Sequence, residues 1–327
     1  MTPMPADAVL RPESPGLEIE NDLAKVVILP EVGGMIHQFI YKPSGRDVLF
    51  HHPRVPPRRA YYRAPVDDWW AGGVIEGFPT GFPCFAGGES LPDFGELWSE
   101  PWTVVSASGP AATLACKTRL YPLQVTRSMS LVAGSACLRM HHVIENMSGD
   151  PVQVLWGIHP TAPVGPRTMI QVPARMEEVV GLADTALTTD PAPSRFADGP
   201  IGFADVAVRG QSLRYLHGLP RSAWFAIWDE DWKTGLGMTF SAEDLPCVWL
   251  WLVDGWRGLR AITAEPWTGW PGALDEAASL GRALSIPGGV AVELDTSLIA
   301  FTPIGPLSGF DVRGRPVPAR TGQATSD

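Results

Sequence analysis

The chain has 327 residues, of which 45% are hydrophobic and 18% charged, and its formal net charge is −10. That balance allows a sizeable buried core and excludes a disordered chain. The acidic excess argues against nucleic acid or an anionic membrane surface as a partner.

The 34 glycines and 33 prolines are too many for long helices and suit many short strands joined by turns. No run of about 18 apolar residues exists. The start, Met-Thr-Pro-Met-Pro-Ala-Asp, lacks the basic and apolar blocks of a signal peptide, so the protein is read as cytoplasmic. Cys84, Cys116, Cys137 and Cys247 lie far apart without paired short spacing, so no metal site or disulfide framework is expected.

Residues 1–16 are proline-rich and aperiodic, which predicts an N-terminal arm. From Leu17 to Phe50 the pattern is that of a β-meander with a Gly33-Gly34 turn. Residues 51–66 form a proline-rich basic loop, whose Arg54, Arg58, Arg59 and Arg63 could meet an anionic substrate group or an acidic patch of the protein itself. Residues 67–98 combine Asp67, Asp68, Trp69, Trp70, Glu76 and Glu89 on an irregular stretch, as a binding rim requires.

Strands are predicted at Trp102 to Ser106, Ala112 to Leu120, Val125 to Val132 and Cys137 to Glu145. A further one, Val152 to Ile158, delivers His159 at its end, before Pro160. Residues 161–220 carry few signals beyond short strands near Met169 to Val172 and Phe203 to Val208. The pattern restarts at Ala223 to Trp228, Gly235 to Phe240 and Cys247 to Val253, the last buried on both faces. A short helix is predicted over Asp275 to Leu284, a closing strand over Val290 to Phe301, and a tail over 303–327. Without an internal repeat or a composition boundary, residues 17–302 read as one domain. The pattern predicts an all-β fold, a large antiparallel β-sandwich.

The chemistry concentrates in Ala261 to Ala273, where an apolar, β-branched run leads into Glu265-Pro-Trp267. Pro266 restricts Glu265 to extended geometry, and Trp267 and Trp270 add flat apolar faces of the kind that stack on a sugar ring. The same stretch resembles the catalytic-glutamate motif of the aldose 1-epimerases, the galactose mutarotase-like family. In the same order, Leu29-Pro-Glu-Val-Gly-Gly-Met-Ile36 resembles that family's opening strand and Gly-Gly turn, with Ser44-Gly-Arg-Asp-Val-Leu49 after it. Leu91-Pro-Asp-Phe-Gly-Glu-Leu-Trp98 resembles its His-Gly segment, Leu155-Trp-Gly-Ile-His-Pro160 its catalytic-histidine segment, and Leu284-Ser-Ile-Pro-Gly-Gly289 the opening of its last strands. The resemblance spans roughly residues 17 to 302 and implies a mutarotase-like super-sandwich.

It also implies a reaction. Interconverting the anomers of an aldose needs a base at the C1 hydroxyl and an acid at the ring oxygen, expected here on opposite sides of one pyranose, and needs no cofactor. Glu265 is the candidate base and His159 the candidate acid, both expected at strand ends before proline. Trp267, Trp98, Phe94, Glu96, Trp70 and Arg63 are candidate substrate-binding residues. The expected partner is a small carbohydrate-like molecule, with no nucleic acid and no membrane; a homodimer is left open. One departure stands out, because Phe94 occupies the position of the family's second histidine and cannot donate a hydrogen bond. Two alternatives therefore remain: an elimination or isomerisation of a sugar-derived or other cyclic substrate, and a catalytically weakened sugar-binding protein.

Overall fold

The computed structural model describes residues 12, 14–180 and 193–319. Two antiparallel sheets dominate it. The eleven-stranded sheet runs, edge to edge, through Leu17–Glu20, Ala24–Leu29, Met35–Tyr41, Val74–Gly77, Gly157–Pro163, Arg260–Trp267, Cys247–Asp254, Gly210–His217, Met176–Val180 and Ser194–Arg195, with Arg46–Asp47 added beside Met35–Tyr41. The nine-stranded sheet runs through Ile201–Gly202, Thr168–Gln171, Ser222–Asp229, Thr234–Ser241, Ala291–Phe301, Cys137–Asn146, Leu123–Leu131, Ala111–Lys117 and Thr103–Ser108.

Alternation along the strands builds two apolar layers. In Cys247–Asp254, Val248, Leu250 and Leu252 enter the main core with Phe39, Ile158 and Ile262, where residues of the second sheet such as Met140, Phe225 and Leu298 meet them. Cys247, Trp249 and Val253 point the other way, because successive side chains of a strand take opposite faces. On that outer face they are covered by the irregular segment after the meander, through Phe50, Trp70, Phe94 and Trp98.

One polar cluster sits in the main core. Glu76 accepts from Arg127 Nη1 at 2.5 Å, from His142 Nε2 at 3.0 Å and from Trp156 Nε1 at 3.1 Å, all four residues being buried. Glu76 belongs to one sheet and Arg127 and His142 to the other, so the cluster pins the sandwich across its centre.

Several expectations change. The predicted strand from Val152 to Ile158 is split: Val152–Val154 pairs with Leu284–Ile286, and the chain then crosses to the larger sheet as Gly157–Pro163. Phe203–Val206 is a single helical turn rather than a strand, and the strand Gly210–His217 carried too mixed a pattern to be read. The predicted helix is shorter, Leu274–Ser279. The stretch read as a tail from 303 contains a hairpin, Leu307–Phe310 with Pro316–Pro318, whose Phe310 packs on Trp224 and Phe301. The arm over 1–16 lies mostly outside the described residues, as does the end of the tail from 320.

Candidate active site

The outer face of the larger sheet holds a cavity of about 250 Å³. Its floor comes from three adjacent strands. The register pairs Gly157 with Trp267 and Thr161 with Thr263, which sets His159 opposite Glu265, and Glu265 in turn pairs with Trp249. His159 and Glu265 thus share one face of neighbouring strands, with Nε2 of the imidazole 3.4 Å from Oε1 of the carboxyl. Neither residue ends its strand: both strands continue beyond them, carrying Pro160 and Pro266 within. The expectation of strand-end mounting is corrected accordingly. So is the expectation of a ring held between the two groups, since 3.4 Å leaves no space for one.

Each group is held from behind. Trp267 Nε1 donates to Glu265 Oε2 at 3.0 Å, and its indole stacks on Trp249 with centroids 3.9 Å apart. Glycine makes that stack possible: a Cβ on Gly157 would stand 2.0 Å from the Trp267 ring and one on Gly77 2.3 Å from it. His159 Nδ1 lies 3.2 Å from Thr161 Oγ1, which accepts from Thr263 Oγ1 at 3.1 Å.

Burial controls the charge of the pair. His159 is 6% exposed and Glu265 3%. Desolvation brings the His159 imidazole down to about 3 and raises the Glu265 carboxyl well above the usual carboxylate range, the Trp267 hydrogen bond opposing the latter in part. Burial therefore favours a neutral imidazole beside a protonated carboxyl.

The walls are largely aromatic. Trp70, Trp249, Trp251, Phe82 and Phe94 line the cavity, with Ile75, Leu213 and Val66. Phe94 meets His159 edge-on at 5.4 Å, and Trp70 does so at 6.0 Å. The remaining polar side chains are Asp67, Asp93 and Gln211.

Of the residues singled out in the sequence, Glu265, His159, Phe94, Trp70 and the rim residue Asp67 converge on this cavity. The others stand elsewhere. Trp267 is wholly buried beneath the floor and touches the site through Glu265. Glu96 turns its carboxylate to the backbone N–H groups of Arg119 and Leu120. Trp98 is buried, its Nε1 3.4 Å from the carbonyl of Asp93. Arg63 is exposed and donates to the carbonyl of Ser90. Arg54 donates to the carbonyl of Arg257 and Arg58 lies over the ring of Trp69, while Arg59 is exposed. Trp249, Trp251, Phe82, Asp93 and Gln211 were missed. The spacing of Trp249 and Trp251 was the available signal, since i and i+2 on one strand share a face.

A broader depression of about 970 Å³ lies on the outer face of the nine-stranded sheet. It is shallow, and its Arg139, His141 and Asp295 are exposed or half-exposed, so it lacks the enclosed acid–base pair that marks the smaller cavity. Among the described residues no group of His, Cys, Asp and Glu is placed to hold a metal ion, and no helix is long and apolar enough to cross a membrane.

No protein-family model matches the chain. Solved structures do. The chain superposes on a protein from Synechocystis sp. PCC 6803 with a TM-score of 0.68 at 17% identity, covering 89% of this chain and 98% of the other. It superposes on a galactose mutarotase-like protein from Lactobacillus casei ATCC 334 with a TM-score of 0.65 at 15% identity, over 87% and 99% of the two chains. A galactose mutarotase related enzyme from Lactobacillus acidophilus gives a TM-score of 0.64 at 14% identity, over 89% and 99%. The sandwich thus has the galactose mutarotase-like fold.

Proposed function

We propose that the protein interconverts the anomers of a monosaccharide by acid–base catalysis at His159 and Glu265. The observation that carries this reading is the buried pair itself, at the floor of a cavity with aromatic walls. The ring oxygen and the anomeric hydroxyl are bonded to the same carbon, so a sugar laid edge-down on the floor presents both to two side chains standing side by side. The volume, about 250 Å³, lies below the roughly 300–1,000 Å³ of pockets for drug-sized ligands and suits one ring.

In the opening step one member of the pair takes the proton of the C1 hydroxyl while the other gives a proton to the ring oxygen. The bond from C1 to the ring oxygen breaks and a carbonyl forms at C1. Rotation about C1–C2 and the reverse transfers give the other anomer. The pair's net charge is unchanged, but a neutral pair becomes an imidazolium beside a carboxylate, a charge separation whose cost in a buried site is offset by their distance of only 3.4 Å. Burial raises Glu265 and lowers His159, which supports a resting proton on Glu265, with Glu265 beginning as the acid and His159 as the base. That reverses the assignment expected from the sequence for the opening step, and the closing step exchanges the roles.

Saturation-transfer NMR on a panel of aldoses tests the reading. Exchange between anomeric signals accelerated by the wild type and lost in both Glu265→Gln and His159→Asn supports it. Acceleration that survives either substitution removes that residue from the chemistry.

A further inference from the structure

The charged groups of the cavity have one sign. Asp67 and Asp93 line it with the protonated Glu265 and the neutral His159 and Gln211, and no lysine or arginine does. Arg257 stands beside Asp67 and Asp68, where its Nη1 donates to the carbonyl of Asp67 and to the carboxylate of Asp68. Arg54, Arg58 and Arg63 of the loop are engaged with their own neighbours, and Arg59 is exposed and does not line the cavity. The rings of Trp70, Trp249, Trp251, Phe82 and Phe94 line the same cavity. Carboxylates facing indole and phenyl rings are the combination that recognises an ammonium group, because the ring faces are negative and the acids supply the counter-charge.

A second observation concerns Trp70. It is 5% exposed, and its Nε1–H is buried without a hydrogen-bond partner. A buried donor left unpaired is costly, and such groups in native proteins call for an explanation. Trp70 lines the cavity through its ring, while this nitrogen is itself covered and faces the packed side of the wall. Asp93 carries a related signal: burial first, and the neighbouring Asp67 second, push its carboxyl up to about 6. An arriving cation would offset both.

We propose that the monosaccharide taken by this cavity is an amino sugar, whose ammonium group sits against the aromatic wall with Asp67 and Asp93 as counter-charges. This rests on the reading of the cavity as a sugar site. It excludes phosphorylated and acidic sugars, which would meet carboxylates without a compensating base.

The test is calorimetric titration of the intact protein at about pH 6.5, where an amine of ordinary basicity is protonated. The probes are D-glucosamine and D-galactosamine, their N-acetyl derivatives, the parent hexoses and glucose 6-phosphate. The ammonium sugars are expected to bind at least tenfold more tightly than the N-acetyl and parent sugars, with the phosphate weakest. Asp67→Asn should reduce the ratio of ammonium to N-acetyl affinity at least threefold, and Asp67→Asn with Asp93→Asn should abolish it. The carboxylate of Asp93 accepts N–H groups from Val66 and Phe94, so if Asp93→Asn disturbs the loop, Asp67→Asn alone decides. Equal binding of charged and neutral sugars, or a preference untouched by Asp67→Asn, overturns the proposal. Anomer exchange is measured separately: a preference without exchange leaves the amino-sugar assignment standing and removes the epimerase reading, and exchange without preference does the opposite.

Discussion

His159 and Glu265 face one another across adjacent antiparallel strands, with Nε2 3.4 Å from Oε1, although 106 positions separate them in the chain. Two ionisable groups so close and so buried behave as one unit that exchanges a proton internally. Glu265→Gln keeps the shape and still offers an oxygen to Trp267 Nε1, but cannot transfer a proton. Anomer exchange should fall by about 10² to 10⁴, the usual contribution of one acid–base group, while the thermal transition stays sharp. NMR line-shape or saturation-transfer rates on the purified variant check this.

The same pair predicts how stability varies with pH. Glu265 is raised in the folded state, so the stability associated with it is present below about 4.5 and is lost as pH rises through its folded value. His159 is lowered to about 3, so its share is present above 6.5 and is lost as pH falls toward about 3. In thermal melts across pH, Glu265→Gln should flatten the alkaline side of the profile and His159→Asn the acid side. A profile unchanged by either substitution contradicts the assigned shifts.

Phe94 turns its ring edge to His159 at the position where the sequence suggested a missing hydrogen-bond donor. A sugar hydroxyl placed there goes unpaired at a cost of about 1–3 kcal/mol, roughly tenfold or more in affinity. The wild type should therefore handle galactose and glucose poorly, and Phe94→His should recover part of their exchange. Ordinary enzymatic rates on these hexoses in the wild type, unchanged by Phe94→His, would show that the ring does not meet the sugar.

Gly157 bears on catalysis without touching a substrate. A methyl group there would stand 2.0 Å from Trp267, so the indole must shift, taking with it the hydrogen bond to Glu265 and the stack on Trp249. Gly157→Ala should lower the melting temperature, with a cost of about 1–3 kcal/mol for overpacking. It should also reduce the exchange rate more than it weakens sugar binding. Comparing kcat with KM distinguishes this from general loosening of the cavity.

The Glu76 cluster makes the sandwich sensitive to a single atom change. Burial alone would raise this carboxyl, but His142, Arg127 and the hydrogen bonds from His142 and Trp156 bring it down to about 2. Glu76→Gln leaves Arg127 buried without its counter-charge, at a cost of about 3–5 kcal/mol. Denaturant titration should show a large drop in the midpoint. In the wild type the stability supplied by Glu76 is present above about 4.5 and is lost as pH falls through about 2.

Local pattern was enough for the elements and for part of the chemistry. Short β-branched runs between Gly and Pro turns specify strands because turn residues and alternation act over a few positions, so Cys137–Asn146 and Ala291–Phe301 were legible almost to their ends. Glu265 and His159 stood out for an equally local reason, an ionisable group directly before proline where an apolar run was read as ending. Pairing was decided only in three dimensions. The break after Val154, the strand Gly210–His217 and the opposition of His159 to Glu265 depend on which distant strand each segment hydrogen-bonds. A shift of one residue in that register would turn every side chain to the other face. The same holds for the walls: Trp249 and Trp251 read as core, and Trp267, Trp98 and Glu96 as binding groups, until the loop from Phe50 to Trp98 closed over one sheet face and settled which of them border the cavity. Alternation states that two residues share a face, but only the packed structure states what covers it.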